Sequence, residues 1–156
     1  MRRKVNNRNI VTADPTYQSE KVSKLINYIM ESGKKNTART AVYKCFDVIK
    51  EKAKVADPME IFEAALKNTA PQMEVRSRRV GGANYQVPRE VRPERSQALS
   101  MKWIVLAARS KKGAPIHIKL ADEIILASKN EGEAVKKREN THKMAESNKA
   151  FAHFAW

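Results

Sequence analysis

The stretch Glu74 to Val91 reads EVRSRRVGGANYQVPREV, and it sets arginines at 76, 78 and 79 ahead of a Gly81-Gly82 pair, with Tyr85, Val87, Pro88 and Arg89 behind it. Gly-Gly tolerates the positive φ of a type I′ turn, so the two flanking runs predict a β-hairpin. With both glycines in the turn, Val80 pairs with Ala83, Arg78 with Tyr85, Arg76 with Val87 and Glu74 with Arg89. Side chains alternate along a strand, which places Arg76, Arg78, Val80, Tyr85 and Val87 on one face. Guanidinium groups beside an aromatic ring can clamp phosphate bidentately and stack an unpaired base. Strands of this length reach roughly 25 Å, so the hairpin is expected to protrude as an arm.

Other candidate chemistry is weaker. Ser32-Gly33-Lys34-Lys35 resembles the end of a phosphate loop, but the earlier glycine is missing and Lys35 stands where a magnesium-binding hydroxyl belongs. A basic helix–helix corner fits better. His117, His142 and His153 lack metal-ligand spacing, so no metal site is expected. His142 and Glu146 fall at i, i+4 and read as a surface pair rather than an acid–base dyad. No nucleophile elbow, dinucleotide loop or paired-carboxylate motif is present, and neither catalytic residues nor a cofactor are assigned. Cys45 is the single cysteine, which precludes an internal disulfide, fits a reducing compartment and suits a small buried position.

These groups need a scaffold, and the apolar spacing predicts one that is mainly α. Val22, Leu25, Ile26, Ile29 and Met30 give a first helix from Ser19 that Gly33 terminates. Thr37 is expected to cap a second, with Ala38, Ala41, Val42, Cys45 and Ile49 buried. Asp57-Pro58-Met59-Glu60 combines an N-cap, a first-turn proline and a capping-box acid. Its helix buries Ile61, Phe62, Ala65 and Leu66 and closes at Pro71. After the hairpin, assigned to residues 73–91, Pro93 opens a fourth helix with the stripe Leu99, Trp103, Leu106. A fifth carries Ile116, Leu120, Ile124 and Ala127. The sixth, near 133–150, has mostly alanine as its apolar content, with Lys136, Lys137 and Arg138 among its many cations, so it must lean on RNA or a protein neighbour. The prediction is one domain over 1–156: a six-helix body, a protruding two-stranded antiparallel hairpin, and a basic N-terminal tail over 1–12 bearing Arg2, Arg3, Lys4 and Arg8.

The 156 residues carry a formal charge of +14, which points to a polyanionic partner. At 42% hydrophobic the chain has material for a core. The N-terminus lacks the apolar stretch of about 7–15 residues that marks a signal peptide. No window approaches the roughly 18 apolar residues of a membrane span, so no membrane partner is expected and the chain reads as soluble and cytoplasmic. Six arginines oppose three glutamates over 74–95, and RSKKGAPIHIK at 109–119 adds Arg109, Lys111, Lys112 and Lys119 without an acid. An architectural DNA binder would carry an apolar wedge at the arm's tip, where this chain has glycine. Basic patches scattered over tail, ribbon, loop and last helix suit a folded RNA better than one straight groove. A DNA-architectural protein is the alternative, and an enzyme built on His142 and Glu146 the third class.

EVRSRRVGGANYQVPREVRPER followed by a Trp-containing helix, AVKKRENTHKMAESNKAFAHFAW at 134–156, and DPTYQSEKVSKLINYIMESGKK at 14–35 together resemble the family of bacterial small-subunit ribosomal protein seven. The likeness covers nearly the whole chain. It implies a six-helix body with a protruding hairpin. It further implies binding to the 3′ major domain of small-subunit ribosomal RNA, nucleation of head assembly, and a hairpin near the exit-site transfer RNA and the messenger path, beside ribosomal protein eleven and other head proteins. The RNA-contacting positions implied are Arg2, Arg3, Lys4 and Arg8 in the tail, Lys34 and Lys35 at the first corner, and Arg76, Arg78, Arg79 and Tyr85 in the ribbon. Arg92 and Arg95 follow at its base, with Arg109, Lys111 and Lys112 in the later loop; Lys136, Lys137 and Arg138 join them from the last helix's charge. The chain departs from the family pattern at Ser96, where an arginine is frequent, at Lys102, which keeps charge without the bidentate fork, and in its tail.

Overall fold

Asp14 brings the chain into its helical body. Its carboxylate is almost fully buried and accepts hydrogen bonds from the Thr16 and Tyr17 backbone N–H groups and from the Tyr43 hydroxyl. These donors satisfy a buried charge that would otherwise be costly. They also give a physical reason for the Asp-Pro-x-Tyr opening, because Tyr17 then stacks edge-on against Phe46, 4.8 Å between ring centres. The computed structural model describes residues 11–154. The expected contacts of Arg2, Arg3, Lys4 and Arg8 lie outside the described residues.

Among the described residues six α-helices follow: α1 (Glu20–Ile29), α2 (Lys35–Ala53), α3 (Pro58–Thr69), α4 (Pro93–Ser110), α5 (Ile116–Ser128) and α6 (Glu133–Ser147). Between α3 and α4 the strands β1 (Met73–Val80) and β2 (Ala83–Glu90) form one antiparallel pair, and a 3₁₀ segment (Lys149–Phe154) follows α6. The mainly α body with a single hairpin matches the expected class. One apolar cluster runs through all six helices, with Leu25, Phe46, Ile49, Phe62, Ile104, Leu120 and Ile124 at or near zero exposure. Truncating a ring such as Phe62 to alanine in so dense a core costs about 3–5 kcal/mol. The cap at α3 forms as predicted, Asp57 accepting from the Met59 N–H at 2.8 Å.

Three expectations are corrected. Helix α2 begins at Lys35, ahead of Thr37, because Ser32 and Gly33 turn the chain with positive φ and the Ala38 N–H already reaches the Lys34 carbonyl at 3.2 Å. Helix α4 does not bury the stripe Leu99, Trp103, Leu106. It buries Ser100, Met101, Ile104, Val105, Ala107 and Ala108, leaving Leu106 half exposed. Met101, Ile104 and Val105 supply the apolar part of that face, and Ser100 lets α4 approach α3 closely: its Oγ lies 2.5 Å from Thr69 Oγ1 and donates to the Leu66 carbonyl at 3.1 Å. Finally, the last helix stops at Ser147, and the 3₁₀ segment turns Phe151 and Phe154 toward the hairpin.

Helix α6 is anchored by a buried carboxylate. Glu123 of α5, wholly inaccessible, accepts from the Ala134 N–H at 3.0 Å and pairs with Lys111 Nζ at 2.6 Å. One unsatisfied donor at the start of α6 is thereby filled, by an acid placed where the helix dipole favours it. Among the described residues, no helix is long and apolar enough to cross a membrane.

Candidate RNA-binding surface

The hairpin register is the predicted one along its whole length, from Val80–Ala83 through Arg78–Tyr85 and Arg76–Val87 to Glu74–Arg89. Gly81 and Gly82 take positive φ in the turn, as a type I′ geometry requires. The two faces differ. One carries the cross-strand pair Ser77–Gln86, hydrogen-bonded at 2.8 Å. The other carries Arg76, Arg78, Tyr85, Val87 and Arg89, and the chain's own C-terminal segment covers part of it.

That cover alters two expected roles. Tyr85 lies 5.2 Å, centre to centre, from both Phe151 and Phe154, so its ring serves an internal aromatic cluster rather than an open platform. Arg78 Nη1 donates to the Phe154 carbonyl at 2.8 Å and fixes the segment to the ribbon. Val87 beneath is buried. The base of the arm is held too: the Gln72 N–H donates to His142 Nε2 at 3.0 Å, which gives the histidine a structural task. His142 and Glu146 flank a shallow dent with Lys67, Arg138 and Lys143, on a basic face rather than in a deep pocket.

The remaining cations separate into those held by the fold and those presented to solvent. Lys111 is committed to Glu123, against the expectation of an RNA contact. Arg109 joins Glu31 and the Ile29 carbonyl, both at 3.0 Å, closing the C-terminus of α1. Arg138 donates to the Asn68 carbonyl and to Asn130 Oδ1, tying α6 to α3. Arg95 meets both oxygens of Glu74 at 2.9 Å while staying largely exposed. Lys136 pairs with Glu133 at 2.9 Å, and that hydrogen bond holds the Glu133 carboxyl below its ordinary range. Arg76, Arg79, Arg92, Lys112 and Lys137 are exposed, as are Lys34 and Lys35 at the start of α2. Two lysines at a helix N-terminus add to the positive end of the dipole, an arrangement unfavourable within the chain and favourable toward an outside anion.

Arg89 belongs with this set, although only its opposition to Glu74 was noted from sequence. It is exposed and lines two adjoining hollows. The upper one holds Arg76, Arg78, Arg79, Val87 and Phe154; the lower runs past Arg76 to Arg92 and Arg95 at the arm's base. The signal was present, since the register places Arg89 on the face of Arg76 and Arg78. Arg76 and Arg89 line both hollows and join them into one arginine-lined edge from Arg79 down to Arg92 and Arg95.

The family model described as ribosomal protein S7p/S5e matches residues 1–149. The chain belongs to that family. A small ribosomal subunit protein uS7 from Moorella thermoacetica is 57% identical over 149 residues, covering 96% of this chain and 95% of the relative. Its counterpart from Heliobacterium modesticaldum is 58% identical over 146 residues, 94% and 93% of the two chains. That from Thermotoga neapolitana is 53% identical over 156 residues and covers both chains fully. Ser96 donates its hydroxyl to the Pro71 carbonyl at 2.7 Å and so fastens α4 to the root of the hairpin. Lys102 is exposed on α4.

Proposed function

We propose that this protein is a structural constituent of the small ribosomal subunit that binds the 3′ major domain of small-subunit ribosomal RNA directly and nucleates assembly of the head. Family membership supports the ribosomal setting, and the arginine edge from Arg79 through Arg76 and Arg89 to Arg92 is the observation that carries the RNA contact. Arg forks seat phosphate oxygens in pairs, and an edge spread over a protruding arm, a helix corner and a loop suits an RNA junction of irregular shape. The helical core is built without the exposed cations, so it presents them preformed and little ordering is required at the moment of binding. The hairpin, in this reading, lies toward the exit-site transfer RNA and the messenger path, with ribosomal protein eleven and other head proteins as neighbours. No catalytic role is assigned.

Chemical footprinting of the protein on intact small-subunit ribosomal RNA tests the reading. Protection concentrated in the 3′ major domain is expected; protection confined to other domains would overturn it. Competition at fixed salt between the folded RNA fragment and duplex DNA separates the DNA-architectural alternative, which requires the duplex to compete equally.

A further inference from the structure

Sequence alone makes Tyr85 the natural stacking platform of the ribbon, yet its ring is taken up by Phe151 and Phe154. Those two rings are nearly parallel, 12° apart with centres at 6.4 Å. Phe154, half-buried and met by the His153 ring at 4.0 Å between centres, walls the upper hollow of the hairpin, a cavity of about 490 Å³ whose other sides include Arg76, Arg78, Arg79, Arg89 and Val87. The Arg78 hydrogen bond to the Phe154 carbonyl holds that ring in place from behind.

Two chemistries meet in this hollow. A site for phosphate alone needs cations and gains nothing from an aromatic wall over a buried valine. A site for an apolar ligand has no use for several guanidinium groups. A flat aromatic ring joined to a phosphate satisfies both, and the volume lies in the range of small-ligand pockets, about 300–1,000 Å³. In a paired helix the base faces are hidden, so the ligand must be a nucleotide out of its stack, the form in which RNA bases are recognised on aromatic side chains. Given the RNA-binding reading above, the geometry points to a single-nucleotide pocket built jointly by the hairpin and the C-terminal 3₁₀ segment, with the base on Phe154 and the phosphate on Arg76 and Arg89. Arg78 is a positioning residue for Phe154.

The full-length protein is titrated with adenosine monophosphate, adenosine and inorganic phosphate, followed by NMR shifts of the Phe154 and Tyr85 rings. Adenosine monophosphate should bind at least fivefold more tightly than either half of it, the lower end of what base–aromatic stacking contributes. Phe154→Leu keeps apolar cover over Tyr85 but removes the π face; it should weaken adenosine monophosphate about fivefold or more and leave inorganic phosphate unchanged. Phe154→Tyr should restore binding, which guards against a leucine variant whose segment has come loose. Arg76→Gln with Arg89→Gln should weaken both phosphate-bearing probes. Equal binding of nucleotide and inorganic phosphate, or no response to Phe154→Leu, would overturn the pocket. A folded fragment of small-subunit ribosomal RNA and a single-stranded oligonucleotide are then each titrated against bound adenosine monophosphate. Displacement by one names the source of the nucleotide; displacement by neither also overturns the pocket. If the wild-type protein binds the folded fragment but not adenosine monophosphate, the pocket alone fails and the RNA-binding reading stands.

Discussion

Replacing Lys111 with alanine sets the sequence against the structure at one atom. The sequence places this lysine in a cationic loop facing RNA; the structure puts its Nζ 2.6 Å from Glu123 Oε2. Glu123 has no solvent exposure, and its second oxygen holds the Ala134 N–H that begins α6. Without the ammonium, a buried carboxylate is left with that single donor. Breaking one partner out of a fully buried ion pair costs about 3–5 kcal/mol. The Lys111 side chain keeps 32% exposure, so water reaches the pair and screens it. We therefore expect about 2–3 kcal/mol. For a chain of this size each kcal/mol moves the thermal midpoint by about 2–4 °C, giving a drop of about 4–12 °C. Adding Glu123→Gln to Lys111→Ala removes the orphaned charge and should recover at least half of the loss, a coupling that a double-mutant cycle reads directly. Calorimetry on the three variants, run beside RNA binding on the same preparations, makes the assay. An unchanged midpoint in Lys111→Ala together with a tenfold or greater loss of RNA affinity would refute the reasoning and return the lysine to the RNA.

Three further outcomes follow from the same geometry. Arg78→Ala should release the C-terminal segment, raising hydrogen exchange at residues 149–154 by about tenfold or more while the helical core stays protected; unchanged exchange there would show that the guanidinium does not hold it. Gly132→Ala should lose about 2 kcal/mol or more, because φ is +96° and the new Cβ would fall 2.8 Å from a Glu123 oxygen that cannot yield without dropping Ala134 and Lys111; a variant as stable as the parent contradicts this. Cys45 is fully buried and burial pushes its thiol far up, so a thiol reagent should label it only as fast as the protein unfolds. Rapid labelling of the native protein would exclude that packing.

The hairpin is legible in the sequence to the residue because two strong local signals agree. The Gly81-Gly82 turn fixes the pairing, and alternation then assigns every side chain a face. The caps and breaks at Asp57, Pro93 and Gly33 are legible for the same reason, since each acts on its own few residues. Helix α4 misleads because its buried face sets Ser100, Ala107 and Ala108 beside Met101, Ile104 and Val105, and the small residues carry little hydrophobic signal with which to mark that face against the Leu99, Trp103, Leu106 stripe. The charge of Lys111 is visible in sequence, but its partner Glu123 lies on the next helix and looks like any surface acid until burial is known. The aromatic cover on Tyr85 joins residues some 70 positions apart, where no local pattern could pair them. The cationic, arginine-rich character of the ribbon is thus legible in the sequence, while the division between structural and presented cations requires the fold.

The most direct measurement is the salt dependence of binding to the folded 3′ major domain fragment, for the parent chain and for Arg76→Ala, Arg79→Ala, Arg89→Ala combined. If about six to eight of the exposed cations neutralise phosphates, the logarithm of affinity should fall with that of salt at a slope of roughly −4 to −7. The triple variant should lose about two units of that slope while its thermal midpoint stays within about 2 °C of the parent's, surface groups contributing little to stability. A nearly flat titration, or a triple variant with an unchanged slope, would contradict an arginine edge held outward for RNA.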